Sequence, residues 1–385
     1  MIRFAAFVAA LVAALLIVWA IGHALLSHAP VEPSPAADYA RQHFPDRDEN
    51  ESAARVLATV ARFDETELRR NRSAEIDYIR FEVASPSAQT TPPPEPLAKF
   101  FAENAAIIST LRAELASNPP PVWKMRADDL LDTPQPDSII ITQLFVMFAS
   151  DAIAEHSHRN DAAAWSDLGA MWSLTQSLLV RPEIYAVLTA LSGSRLITAV
   201  ATKLTPPLPR WWIDFVAVDP RAPLARALDY DAWAMRTRAV RYPVGEADDE
   251  NALREVMRRA AEPFVRPIRI MAADRRVRDM RELRRRIAIA TPCERAPLPG
   301  ALQRWSTTLQ HLHRFMIERE GAAKLLAIEE QRRVSGAWPD RIDDRSICPR
   351  EHWIYERSGN AIALSFSGRL PAPQTRIVTP LQYRR

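Results

Sequence analysis

Glycine is scarce in this sequence. Only 9 of the 385 residues are glycine, which leaves little material for a glycine-rich loop that cradles phosphate groups. His-Glu-x-x-His, Gly-x-Ser-x-Gly, Walker A and dinucleotide-binding motifs are all missing. We therefore predict no catalytic, metal-binding or cofactor-binding residues and no cofactor. Whether the protein is an enzyme stays open, because a site assembled from scattered residues leaves no motif.

Cysteine is equally rare, with only Cys293 and Cys348, each beside a proline. Two isolated cysteines do not supply the four ligands of a structural zinc site. A lipoprotein is excluded because neither cysteine lies near the N-terminus. We expect both residues on loops that flank one long helix, where a disulfide could clamp that helix to the C-terminal segment. Two unpaired thiols are the alternative, since sequence alone does not decide pairing.

The residues that are abundant favour helices separated by proline-containing breaks. The chain has 31 prolines, 48% hydrophobic and 25% charged residues, a balance that suits a buried core rather than global disorder. Because proline breaks helix interiors, the prolines should lie between helices. The net charge of +3 is small, so the sequence pI of about 9.0 does not argue for nucleic acid, and we predict no nucleic-acid partner.

One long uncharged run stands near the N-terminus. Residues 4–26 contain no aspartate, glutamate, lysine or arginine. At about 1.5 Å per residue, a helix over this run is long enough to span a bilayer. Arg3 precedes the run and the next basic residue other than histidine is Arg41, so the positive-inside rule keeps the N-terminus in the cytoplasm. We predict a single-pass protein of the bacterial inner membrane with its body in the periplasm. The alternative is a signal peptide cleaved after Ala29, with Pro30 following the cut.

The rest of the chain divides into a tether and a helical body. We predict a transmembrane anchor at 1–27, a tether at 28–48, a helical domain at 49–298, and a long helix with a C-terminal hairpin at 299–385. The fold class is mainly α: a membrane helix plus a helical bundle or helical-hairpin array, with a small C-terminal β-hairpin.

Helical spacing of apolar residues and proline breaks set the element boundaries. The hairpin strands are expected at 352–356 and 362–366, where hydrophobic and polar residues alternate around a turn at 358–360. Helices are expected at 49–64, 97–116, 138–156, after 161, from Pro182, and at 210–218, 222–241, 249–261, 264–290 and 300–335.

An arginine-rich amphipathic helix at 274–287 is the strongest charge feature. Arg275, Arg278, Arg281 and Arg285 are the candidate residues for binding anionic lipid head groups or an acidic partner. A solvated face with local ion pairs explains the same pattern.

Histidines and tryptophans give weaker indications. His156 and His158 are expected in a surface loop, because residues two apart diverge on a helix. His311 and His313 should flank a packed helical face. The pair Trp211–Trp212 either packs in the core or dips into a bilayer interface.

The C-terminal segment carries a family resemblance. A helix through Glu320–Glu329 leads to Gly336, Trp338 and Pro339, and then to the predicted hairpin. This order resembles the endings of type II secretion pseudopilins and of uncharacterised membrane-anchored helical envelope proteins of bacteria. The prepilin peptidase site of pilins is missing from the N-terminus, and the resemblance transfers no functional residue.

These features together predict a membrane-tethered, extracytoplasmic helical scaffold that binds a protein or envelope component. The alternatives are an enzyme without a recognisable motif and a peripheral anionic-lipid binder that uses the arginine-rich helix.

Overall fold

The structure, a computed structural model, describes residues 42–117, 119–126, 138–241, 252–289, 305–369 and 381–385. The predicted transmembrane anchor and residues 28–41 of the predicted tether lie outside these ranges.

The described part of the chain is mainly helical, as predicted. Ten helices are present within it, followed by a three-stranded antiparallel sheet in the order β1-β2-β3. The helices are α1 (Glu51–Val60), α2 (Glu65–Ala84), α3 (Glu95–Ser117), α4 (Ser138–Ser157), α5 (Asp161–Leu179), α6 (Ile184–Ala201), α7 (Arg210–Ala217), α8 (Arg221–Arg241), α9 (Ala252–Ile289) and α10 (Ser306–Ser335). The strands are β1 (Trp353–Ser358), β2 (Ala361–Phe366) and β3 (Gln382–Arg384).

The chain forms two compact units. Among the described residues, the first comprises 42–43, 228–241 and 252–284, and the second comprises the others. Within the first unit, ion pairs join α8 to α9, with Arg236 3.5 Å from Asp274 and Arg284 3.1 Å from Asp229. The predicted boundary at 298/299 lies outside the described residues.

Helices α4, α5 and α6 form the core of the second unit, where α5 packs against both neighbours. Phe145, Met147 and Phe148 of α4 are buried. Gly193 of α6 is required here, because a Cβ atom at this position would lie 2.7 Å from the Phe145 ring. The small residue lets the two helices approach closely, and the apolar contacts supply most of the stability of the bundle.

Two described helices are long and apolar enough to cross a membrane. They cover Ile139–Ser157 in α4 and Ile184–Ala201, which is α6, and 72% and 61% of these segments are buried within the protein. Both belong to the packed core of the second unit.

The C-terminal hairpin is confirmed and is extended by a third strand that the sequence pattern did not predict. Trp353 pairs with Phe366 across β1 and β2, while Leu364 pairs with Tyr383 of β3. Trp353, Leu364 and Tyr383 are buried against Ile317 and Leu325 of α10. A hairpin alone is marginal in water, and this packing stabilises it.

The end of α10 is also confirmed. Gly336 caps the helix with a φ of 77°, and its N–H donates to the carbonyl of Arg332. Trp338 then returns over the helix end, where its ring stacks against the Arg332 guanidinium at 4.1 Å and its indole N–H donates to Asn360 O.

Several predicted boundaries are wrong. The predicted break near residue 262 is absent, because α9 continues through Pro263 and Pro267. Pro182 does not open α6, which begins at Ile184 with Glu183 as its N-cap. Helix α3 begins at Glu95, two residues earlier than predicted. Its first turn tolerates Pro96, because proline lacks only an N–H that would have no partner within the helix at this position.

Helix α2 was missed altogether. It is strongly polar and lacks an obvious apolar stripe, although it buries Leu68, Tyr78 and Ile79. A usable signal was present at its start, where the Asp64 carboxylate accepts from the N–H groups of Thr66 and Glu67.

Candidate functional site

A groove lined by tryptophans runs between the end of α3, one face of α5 and α7. Its volume is about 470 Å³ and it opens to solvent. Its lining residues are Leu115, Ala116, Pro120, Ala162, Trp165, Ser166, Gly169, Trp172, Ser173, Gln176, Pro209, Trp211 and Asp214. We call this feature the tryptophan groove.

Helical spacing on α5 and a glycine between two tryptophans create the groove. Trp165 and Trp172 lie seven residues apart, which places both on one face of the helix. Gly169 lies between them, and Trp211 of α7 lies over it: a Cβ at this position would be 3.0 Å from the Trp211 Nε1. Because glycine has no side chain, the indole of Trp211 can approach the α5 backbone.

The aromatic rings of the groove meet edge to face. The ring centroids of Trp165 and Trp211 are 6.0 Å apart at 63°, and Trp172 meets Phe215 at 5.4 Å and 84°. This geometry is favourable for ring quadrupoles and holds the indoles rigidly. Trp165, Trp172 and Phe215 are buried by this packing, and Trp211 is half-buried.

The groove contains few polar groups, and these groups differ in their hydrogen bonding. The Trp165 indole N–H donates to Thr205 O at 2.9 Å. The Trp211 indole N–H donates no hydrogen bond to the part of the chain that the structure describes. The Ser173 Oγ is buried and has no hydrogen-bond partner among the described residues. Buried polar atoms normally have partners, so this hydroxyl lies beneath the surface of the groove at a cost to stability.

A second concave surface, the polar cleft, lies between α3 and α4 and has a volume of about 390 Å³. Arg112 of α3 lines it and bridges two carboxylates, with Nη2 2.8 Å from Asp151 and Nε 2.6 Å from Asp167. Glu155 and His158 lie at its rim, and Phe101 and Ile108 contribute apolar wall.

Burial governs the protonation of these carboxyl groups. It raises the pKa of Asp151 to about 6, against the opposing effect of Arg112. Asp167 is fully buried, and burial together with the neighbouring Asp151 raises its pKa well above the ordinary value. One arginine therefore faces two carboxyl groups whose charged forms are both disfavoured by burial.

A buried glutamate of α2 adds to this polar interior. The Gln143 Nε2 of α4 donates to Glu75 Oε2 at 2.6 Å, while Glu75 Oε1 has no hydrogen-bond partner in the part of the chain that the structure describes. Burial raises the pKa of Glu75 to about 8. The side chain is therefore largely protonated at neutral pH.

The structure places the arginines of the predicted basic site on the exposed side of α9. Arg275, Arg278, Arg281 and Arg285 are exposed, while Val277 and Met280 between them are buried. The amphipathic pattern of this helix is therefore confirmed. What the exposed arginines bind stays a prediction.

Only one cysteine of the predicted disulfide lies within the described residues. Cys348 is buried and is not a free thiol. Cys293 lies outside the described residues, so the Cys293–Cys348 pair stays a prediction.

The histidines do not form a metal site in the described ranges, where no group of three or more potential ligands comes together. His156 lies in the last turn of α4 rather than in a loop, with Nδ1 2.5 Å from Asp161 Oδ1 and Nε2 3.1 Å from Ala88 O. His158 is exposed just beyond the helix. His311 and His313 are half-buried on either side of the buried Leu312, as predicted.

Of the pair Trp211–Trp212, only Trp212 packs in the core. Trp212 is buried against Trp165 and Phe215, whereas Trp211 is half-buried in the groove. Ile213 beside them is 70% exposed.

Sequence reasoning missed both concave surfaces. Nothing in the sequence placed Trp211 against Trp165 and Trp172 of α5. Arg112, Asp151 and Asp167 were not singled out, although each ionisable residue falls among apolar positions of its helix. An ionisable side chain on an apolar helical face was the available signal.

No protein-family model, curated protein or solved structure matches this chain. The resemblance of the C-terminal segment to pseudopilins stays a resemblance.

Proposed function

We propose that this protein is a membrane-tethered, extracytoplasmic helical scaffold that binds a protein or envelope partner. The tryptophan groove carries the binding part of the proposal. It is concave, opens to solvent, has an aromatic lining, and contains the half-buried Trp211 and the exposed Asp214. Binding sites characteristically combine apolar walls with a few placed polar groups.

The tether rests on the uncharged run at 4–26 and on the distribution of basic residues around it. A membrane anchor on an inner-membrane protein would present the groove to periplasmic partners. A periplasmic reporter such as alkaline phosphatase, fused after residue 40, should then be active. Activity of only a cytoplasmic reporter at that junction would contradict the topology.

Photo-crosslinking in native membranes tests the binding role. A benzophenone side chain would replace Ser166 or Gln176, which line the groove. The matched control replaces Tyr185 of α6, which is 71% exposed and does not line the groove. We expect a discrete crosslinked product from the groove positions and none from Tyr185. Equal products at all three positions, or none at any, would exclude the groove as the binding site.

The polar cleft supports the alternative that the protein is an enzyme. A carboxyl group with a pKa raised to about 6 in a cleft is typical of acid–base sites, although structural ion pairs produce the same shift. Asp151→Asn should abolish any activity found, whereas a groove substitution such as Trp211→Ala should not.

The exposed arginines of α9 support the other alternative, an anionic-lipid binder. Binding of the protein to phosphatidylglycerol vesicles should then weaken with salt and with glutamine at Arg275, Arg278, Arg281 and Arg285. Vesicles of phosphatidylcholine are the control.

A further inference from the structure

We propose that the exposed arginine face of α9 docks on anionic phospholipid head groups of the same bilayer that carries the protein's anchor. The arginine face comprises Arg275, Arg276, Arg278 and Arg281. This inference rests on the membrane tether of the proposed function and goes beyond it, because it assigns these arginines one occupant. The sign of the exposed charge, the place where the tether ends and the length of chain up to the anchor argue for it.

The exposed side of α9 carries positive charge and no fully exposed negative charge. Between residues 271 and 288, the exposed residues are six arginines, Met271 and two alanines. The three acidic residues of this stretch are only partly exposed, and one of them, Asp274, pairs with Arg236 of α8. A solvated face with local ion pairs would expose charges of both signs. This surface instead presents one sign.

Several of these arginines lack a partner within the protein. Arg275, Arg276 and Arg278 make no ion pair with the part of the chain that the structure describes. A guanidinium has five N–H donors, and its planar fork matches two phosphate oxygens at once. Unpaired guanidinium groups on one surface therefore suit the phosphodiesters of lipid head groups.

The apolar stripe of α9 is not available to the bilayer. Val277, Met280 and Leu283 are buried within the protein. A helix that inserts into a membrane interface instead buries its apolar face among the acyl chains. The contact of α9 with the bilayer is therefore made by arginines at the level of the head groups, and it should be electrostatic and sensitive to salt.

The tether ends beside this helix. Gln42 and His43, the first described residues after the predicted anchor, belong to the same compact unit as α9 up to Arg284. His43 interacts electrostatically with Asp229 of α8, and the Asp229 Oδ2 lies 3.1 Å from the Arg284 Nε. The chain therefore enters the first unit next to the helix that carries the arginines.

The length of the intervening chain keeps the arginine face near the bilayer. Leu26, at the end of the uncharged run, and Gln42 are 16 residues apart in the sequence. Even a fully extended chain of this length spans no more than about 55 Å. Because the anchor makes docking intramolecular, contacts that are individually weak suffice to hold the first unit at the membrane surface.

Arginine footprinting of the full-length protein in lipid nanodiscs tests the inference. Phenylglyoxal modifies exposed guanidinium groups, and mass spectrometry gives the rate at each position. One set of discs contains phosphatidylcholine alone, and the other also contains phosphatidylglycerol. We expect Arg275 to react about tenfold more slowly in the phosphatidylglycerol discs, because several arginines hold the face on the lipid. Sodium chloride at about 0.5 M should remove the difference by screening.

Arg80 of α2 is the internal control for the lipid itself. It is exposed and makes no ion pair with the described residues. It should react at the same rate in both sets of discs. Equal slowing of Arg80 and Arg275 would contradict the proposal, because it would report a general effect of the anionic lipid on the reagent.

Substitution of three arginines then locates the docking surface. The variant Arg276→Gln/Arg278→Gln/Arg281→Gln leaves Arg275 in place as the reporter. Each arginine near an anionic surface strengthens docking by about fivefold, so the loss of three should weaken it by about 100-fold. Arg275 should then react at nearly the same rate in both sets of discs.

A second triple variant is the matched control, because it removes the same charge from elsewhere. It replaces Arg62, Arg70 and Arg80, which are exposed residues of the second unit, with glutamine. Arg275 should remain protected in the phosphatidylglycerol discs. Equal loss of protection in both triple variants would show that net charge, and not the face of α9, draws the protein to the lipid.

Two further outcomes would overturn the docking. One is equal reactivity of Arg275 in both sets of discs. The other is protection in native membranes but not in phosphatidylglycerol discs, which would favour an acidic protein as the occupant. Unprotected Arg275 together with an active periplasmic reporter after residue 40 would refute the docking alone. Release of the protein from phosphatidylcholine discs by salt would refute the anchor, on which the proposed function also depends.

Discussion

Replacement of Glu75 by glutamine should remove a large pH dependence of stability. Glu75 is fully buried on α2, and Gln143 donates to one of its two carboxyl oxygens. Burial raises the pKa of Glu75 from 4.5 to about 8. Glutamine keeps the shape of the side chain but cannot ionise.

The sign of the effect follows from proton linkage. The pKa of Glu75 is higher in the folded than in the unfolded protein, so the folded state binds the proton more tightly. The contribution of this proton to stability is complete below about pH 4.5 and is lost as the pH rises through about 8. The difference in pKa corresponds to about 5 kcal/mol, since each pH unit is worth about 1.4 kcal/mol.

The assay is urea unfolding of the full-length protein, followed by circular dichroism at 222 nm between pH 5 and pH 9. With an m-value of about 3 kcal/mol per molar urea, 5 kcal/mol moves the midpoint by about 1.7 M. The wild-type midpoint should fall across this range. Glu75→Gln should flatten the curve and make the variant more stable than the wild type at pH 9.

Asp77→Asn is the matched control, because Asp77 lies two residues away on α2 and is exposed. It should leave the pH dependence as it is. Parallel curves for the wild type and Glu75→Gln would refute the reasoning, since Glu75 would then ionise in the folded state at little cost.

Three further predictions concern the described core and the cysteines. Arg112→Met should destabilise the fold by about 3–5 kcal/mol, because two buried aspartates lose their cation. Arg55→Met, which removes a more exposed ion-paired arginine, should lower the urea midpoint far less, and similar midpoints for the two variants would contradict this. Gly193→Ala should lower stability by about 1–3 kcal/mol through overlap with a buried phenylalanine ring, and an unchanged thermal midpoint would show that the ring can move. Alkylation of the denatured, unreduced protein should modify neither Cys293 nor Cys348 until a reductant is added, and labelling of both without reductant would exclude the disulfide.

The sequence correctly predicted those elements in which several local signals indicate the same structure. The α10 cap at Gly336 and the hairpin at 353–366 were predicted because turn residues and period-two alternation act over a few residues. Likewise, α4 and α5 carry enough apolar residues for their packed character to be evident in the sequence.

Elements whose signals conflict were predicted poorly. Helix α2 is polar over most of its length, so it was missed although it buries Glu75 and Tyr78. Helix α9 was divided at Pro263, where the local rule predicts a break and the structure continues the helix. Strand β3 is only three residues long and is held by partners that are not adjacent to it in the chain: it pairs with β2, and its Arg384 also bridges to Ser87.

The sequence by itself determined the mainly helical class, the capped end of α10, the hairpin and the amphipathic character of the arginine-rich helix. Each of these depends on residues a few positions apart, where spacing alone decides which side chains are neighbours. Only the tertiary structure decided the candidate site. Leu115, Trp165 and Trp211 line one groove from three helices, and Arg112 meets Asp167 across 55 positions, because helix packing, not proximity along the chain, sets these distances.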